Sequence, residues 1–129
     1  MEFRDNQSIY LQIADNFCEN ILLKKWNPGD RIPSVREMAV DIEVNPNTVM
    51  RTYNYLQEKG IIFNKRGIGY FVTEEGHKKT RDLRKEDFIN SELPRFFKAM
   101  KLLDLSMEDM NKYFNEFEKN DTSLSGSSK

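Results

Sequence analysis

The chain has 129 residues, enough for one ordinary domain or a small domain with a helical appendage. Charged residues make up 32%, mean hydropathy is −0.73, and no apolar run approaches the ~18–20 residues of a membrane span, so a soluble chain is expected. The net charge is −1, and residues 1–72 carry nine basic and nine acidic side chains; this excludes a global basic field as a source of nucleic-acid affinity.

The N-terminal MEFRDNQ has the pattern of neither a signal nor a transit peptide. A single cysteine, Cys18, excludes an internal disulfide framework and fits a reducing cytoplasm. It falls in an apolar helix, where it reads as a small buried hydrophobe. That first helix is expected from Ser8, its cap, to about Lys25, with Ile9, Leu11, Ile13, Ala14, Phe17, Ile21 and Leu22 as a wide core stripe and Tyr10 on its flank. Trp26 is expected as a core anchor, Pro28-Gly29 as a turn, and Arg31-Ile32 as a very short extended piece held so by Pro33.

Two short helices follow, separated by a tight turn. Ser34 and Glu37 form a capping box, and Val35, Met38, Ala39 and Ile42 recur at helical spacing behind it. Asn45 is an N-cap with Pro46 at the first helical position; Val44 and Val49 make a hydrophobic staple, and Gly60 stops the helix. The second helix has two faces. Val49, Tyr53 and Leu56 point to a core, while Asn47, Arg51, Asn54 and Glu58 lie about half a turn away. Asn pairs bidentately with adenine, Arg with guanine, and the Thr48 methyl can meet thymine, so this face has the chemistry of major-groove readout. The same face also reads as an ordinary solvated stripe, and its context decides between them.

That context is a predicted β-hairpin, Ile61 to Val72, whose tip carries Lys65 and Arg66 beside Gly67 and Gly69. Basic residues at a hairpin tip can be solubilising edge residues. Placed directly after a helix-turn-helix, they read as a wing toward the sugar-phosphate backbone.

The stretches IYLQIADNFCENILLKKWNPGDRIPSVREMA, VNPNTVMRTYNYLQEKGII and KRGIGYFV, in this order over residues 9–72, resemble the DNA-binding domain of the GntR family of bacterial transcription regulators. The pairing of PGDRIPSVREMA with VNPNTVMRTY is most similar to the YtrA-type branch. The resemblance implies DNA contacts from Arg36 on the second helix, from Asn47, Thr48 and Arg51 on the recognition helix, and from Arg66 and Gly67 in the wing; Ser34, Asn45, Asn54 and Lys65 complete the candidate DNA-binding set. The chain departs from the pattern at Pro46 and Met50, where relatives carry arginines, so base preferences do not transfer. The resemblance further implies a repressor of a neighbouring transporter operon.

Glu74 to Lys85 is dense in charge of both signs, with Leu83 as its one core residue, and reads as a connector or an exposed helix start. Phe88, Ile89, Leu93, Phe96, Phe97, Met100 and Leu103 then form a helical stripe, which Pro94 should start, kink or interrupt near residue 90. Ser106, with Asp109 at N3 and a Leu105/Met110 staple, caps a last helix whose apolar face runs through Tyr113, Phe114 and Phe117. Two amphipathic helices cannot cover both apolar faces alone. Phe88, Leu93, Phe96, Phe97, Met100, Leu103, Met110, Tyr113, Phe114 and Phe117 are therefore expected to form a homodimer interface, with packing back onto the same chain as the alternative.

The expected architecture is mostly α with a small β-hairpin: a winged helix-turn-helix over 1–73, a helical dimerisation segment over 74–119, and a disordered tail over 120–129. No catalytic constellation or phosphate-binding loop is present, one His and one Cys cannot build a standard zinc site, and no cofactor is implied. Only 57 residues follow the wing, too few to enclose a metabolite pocket within one chain; an effector site at a dimer interface or between the domains stays open. Two functions fit: a homodimeric regulator bound to a double-stranded DNA operator, or a winged-helix protein-interaction module without DNA binding. A ligand sensor built on the C-terminal helices is a third.

Overall fold

The computed structural model describes residue 3 and residues 7–121. Two compact units divide between Leu83 and Arg84, about ten residues beyond the boundary expected from composition.

In the first unit, helix α1 (Ile9–Leu22) buries Ile13, Ala14, Phe17, Cys18 and Ile21. It ends with its apolar stripe at Leu22, three residues short of the expected end near Lys25. Lys24 adopts a left-handed conformation (φ 61°), and the N–H groups of Lys24 and Lys25 bond back to the carbonyls of Ile21 and Asn20, a Schellman closure made without glycine. Trp26 then folds onto Phe17, ring centroids 4.5 Å apart.

Helix α2 (Val35–Ile42) opens on the expected capping box. The Ser34 hydroxyl accepts from the Glu37 N–H at 3.1 Å, and the Glu37 carboxylate accepts from the Ser34 N–H at 2.8 Å. The Ser34 N–H, and then its hydroxyl, hold the Glu37 carboxyl below the ordinary carboxylate range. The cap therefore stabilises α2 above that range and weakens as pH falls through it. The turn to the next helix rests on Glu43, left-handed at φ 56°, with the Val44 N–H bonded to the Ala39 carbonyl.

Helix α3 (Pro46–Glu58) packs on both α1 and α2 through Val49, Tyr53 and Leu56, all fully buried, and through a fourth buried residue, Thr52. The Thr52 hydroxyl donates to the Tyr10 carbonyl at 2.8 Å, a polar tie between α3 and α1. Gly60 at φ 75° closes α3 in another Schellman motif, its N–H on the Gln57 carbonyl and that of Ile61 on Leu56.

The expected hairpin forms as β2 (Ile62–Lys65) and β3 (Gly69–Val72), paired antiparallel with Phe63 opposite Phe71. The extended piece Arg31–Ile32 is a third strand, β1, against β3, in sheet order β1-β3-β2. Ile32, Ile62 and Val72 face the core together, as the two-residue period of a strand requires.

The charged stretch after the wing is helical: α4 (Gly76–Asp87). Leu83 does pack on the core, but Gly76 and Thr80 are buried with it, which the charge density concealed. At Gly76 a Cβ would lie 2.7 Å from the Val72 Cγ1 and 3.1 Å from the Ile61 carbonyl oxygen. Because the second contact is backbone, Gly76→Ala is expected to lower stability by about 1–3 kcal/mol, measurable as a shift in the urea midpoint at unchanged m-value.

The second unit contains a π-helical turn (Phe88–Glu92), α5 (Leu93–Leu102) and α6 (Met107–Asn120). Pro94, at the start of α5, lacks the N–H that the Asn90 carbonyl would use in an α-helix, and the wider turn ahead of it accommodates the ring. Ser106 and Asp109 form the expected capping box of α6. Asn120 closes that helix; the remainder of the tail, beyond Asp121, lies outside the described residues.

Candidate nucleic-acid interface

The exposed residues of α3 are Pro46, Asn47, Met50, Arg51, Asn54 and Glu58; Thr48 is half-buried. Residues 47, 50, 51, 54 and 58 share one face at helical spacing, opposite the buried Val49, Tyr53 and Leu56. Asn45 is committed locally: its side-chain oxygen accepts from the Asn47 N–H at 2.7 Å, which leaves the amide donors for other partners. Ser34 is likewise held in its cap, and Arg36 stands exposed one residue into α2.

Arg51 is held by an aromatic ring. Its guanidinium carbon lies 4.0 Å from the centroid of Tyr10 on α1, and Tyr10 meets Tyr55 edge-on at 6.2 Å. A cation over a ring face keeps its in-plane N–H donors, and the restraint reduces the rotamer entropy lost when a planar fork binds a base edge. The sequence placed Tyr10 only on the flank of α1. Its role depends on how α1 crosses α3, for which residue spacing offers no signal.

The wing is tied to the same surface. Tyr70 of β3 packs edge-on against Tyr53 at 4.9 Å, and its hydroxyl contacts the Met50 sulfur at 3.9 Å. At the tip, Lys65, Arg66 and Gly67 are all exposed, and Gly67 takes φ 79°, the left-handed conformation its turn needs, with open space on its Cβ side. Arg31 braces this turn by donating from Nε to the Ile68 carbonyl at 3.3 Å, passing close over Gly69. Lys65 leans toward the Phe71 ring at 5.7 Å, and Phe71 stacks on Phe63. Met50 and Arg31 were outside the set of site residues read from the sequence. Met50 was legible in principle, since it lies three residues after Asn47 and four before Asn54.

Of the residues expected at a dimer interface, Phe88, Phe96, Phe97, Leu103, Tyr113, Phe114 and Phe117 are exposed, and Leu93 and Met110 are half-buried. Met100 differs: at 7% exposure it is buried within the single chain. Among the described residues no group of three or more His, Cys, Asp or Glu side chains is placed to hold a metal ion, and no helix is long and apolar enough to cross a membrane.

The scaffold that carries this surface is shared with known proteins. Residues 9–72 match the family described as bacterial regulatory proteins, gntR family. The chain is 41% identical over 109 residues to the HTH-type transcriptional regulator YhcF of Bacillus subtilis, covering 84% of this chain and 88% of that one. It is 34% identical over 113 residues to the HTH-type transcriptional repressor YtrA of the same organism, covering 88% and 86%. A crystal structure of a GntR-family regulator from Bacteroides thetaiotaomicron superposes with a TM-score of 0.72 at 46% identity, covering 87% of this chain and 97% of that one. An exposed Asn/Arg helix face beside a basic wing, on this scaffold and with these relatives, identifies a DNA-binding transcription regulator rather than an enzyme: the chain belongs to the GntR family, in its YtrA-type branch.

Proposed function

We propose that the protein is a cytoplasmic homodimeric repressor of a two-fold-related operator, each α3 entering one of two successive major grooves. The observation that carries this reading is the exposed face of Asn47, Arg51 and Asn54 on a helix tied through Tyr70 to a basic wing tip. Arg51 and Asn47 read base edges, with Thr48 and Asn54 beside them. Arg36, Lys65 and Arg66 hold phosphates or the minor-groove edge, and Gly67 lets the backbone approach closely. Ser34 and Asn45 contribute at the helix starts. The exposed aromatic faces of the second unit pair across the two-fold axis. The repressor sign is supported by the name of the YtrA relative.

Selection from a randomised duplex pool at physiological salt tests this reading. An enriched inverted repeat is the expected outcome. On that duplex Arg51→Ala is expected to cost about 1–3 kcal/mol and relax specificity at one position per half-site. Lys65→Ala should weaken all sequences alike and reduce the salt slope by about 1. Equal loss for both variants on every sequence would overturn this division of roles. The balanced charge of residues 1–72 favours a second reading, a winged-helix interaction module; a folded protein that enriches no sequence would bring it forward.

A further inference from the structure

Met50 is an apolar side chain set in an otherwise polar reading face. It is 40% exposed, one turn after Asn47, one turn before Asn54 and adjacent to Arg51. A solitary exposed hydrophobe needs no explanation on an ordinary surface. This one is anchored, however. Its sulfur lies 3.9 Å from the Tyr70 hydroxyl, and Tyr70 in turn packs edge-on against the fully buried Tyr53. That contact places the side chain where recognition helix and wing meet.

The chemistry of the groove limits what such a group can meet. Every base pair offers hydrogen-bonding edges there, and pressing a thioether against them would desolvate polar atoms without return. The apolar group that projects into the major groove is the C5 methyl of a pyrimidine, supplied by thymine in unmodified DNA. We infer that Met50 is a specificity-determining residue that reads a thymine C5 methyl group in each half-site. The inference rests on the proposed groove binding by α3 and adds to it the identity of one contact.

The test uses the full chain and the duplex enriched by selection. Each thymine of a half-site is replaced in turn by deoxyuridine, which removes the methyl and keeps the hydrogen-bonding edge. For the unmodified protein one such position should weaken binding by about three- to fivefold, the scale of one methyl group's burial. Met50→Ala, checked for folding by thermal denaturation, should lose that sensitivity, and Met50→Leu should keep it. Replacing that thymine by 5-methyldeoxycytidine, paired with guanine, should bind more tightly than deoxycytidine there, by a similar factor. A thymine whose methyl still matters in the alanine variant belongs to another side chain, Thr48 included. If every methyl-sensitive thymine behaves so, or none is sensitive, the inference is overturned while operator recognition stands. If a folded protein enriches no duplex, groove binding fails and the inference with it.

Discussion

Replacing Phe96 and Phe114 together by serine is expected to leave a folded monomer whose operator affinity is lower by roughly 10²–10⁴-fold. The C-terminal unit leaves Phe96 at 47% exposure, Phe97 at 45%, Tyr113 at 59%, Phe114 at 57% and Phe117 at 58%. Two helix faces that each leave large aromatics about half exposed are the surface that a second copy would cover, and paired aromatics contribute disproportionately to interface energy. Because these rings are only half-buried within one chain, trimming them opens no core cavity, and the winged unit should melt as before. The cost falls on binding. Two linked half-site contacts act as one intramolecular event, and unlinked ones do not, so losing the linkage removes affinity without removing any protein–DNA contact. Sedimentation velocity at micromolar protein would show the change in mass, and a fluorescence-anisotropy titration the change in affinity. A variant that remained dimeric would place the interface elsewhere.

Tyr53→Ala is expected to lower folding stability by about 3–5 kcal/mol, the range for emptying a large aromatic site in a core. Tyr53 is fully buried under the reading face, edge-on to both Phe17 and Tyr70, with its hydroxyl donating to the Pro33 carbonyl at 2.6 Å. Truncation opens a cavity beneath α3 and leaves that carbonyl without its donor. Tyr53→Phe keeps the ring and loses only the hydrogen bond, so about 0.5–1.5 kcal/mol is expected. The two variants separate packing from polar satisfaction. A pH series separates them further. Burial first, then the neighbouring Tyr70 and Glu37, push the Tyr53 phenol above its ordinary range. The neutral phenol is therefore favoured in the fold. Its contribution is fully present below about pH 10, where an unfolded tyrosine starts to ionise, and is lost as pH rises beyond it. Urea midpoints between pH 8 and pH 11 should fall in the upper part of that range, and less steeply for Tyr53→Phe.

Both variants bear on function through the same geometry. Tyr53 supports Tyr70, and Tyr70 meets Met50, so a loosened core under α3 also loosens the register between recognition helix and wing. Contacts that must match base edges tolerate little such motion. Tyr53→Phe should accordingly retain sequence preference.

The sequence by itself determined the features that depend on near neighbours along the chain. The capping boxes of Ser34/Glu37 and Ser106/Asp109, the Asn45-Pro46 start of α3 and the two faces of that helix follow from spacings of three or four residues. Those interactions are fixed by helical geometry alone. The interruption ahead of Pro94 is equally local, since it arises from one missing N–H. Only the tertiary structure decided the rest. Lys24, just past the end of α1, and Glu43, in the turn after α2, occupy left-handed conformations that neither residue type advertises; the chain adopts them because packing fixes where the flanking helices must stop. That Arg31–Ile32 completes the sheet and that Gly76 is pressed against the Ile61 carbonyl depend on surfaces brought together from separate parts of the chain. The reading face shows the division most clearly. Its residues were legible as a polar stripe, but the ring under Arg51 and the hydroxyl beside Met50 come from α1 and β3, and their placement is set by how the core packs.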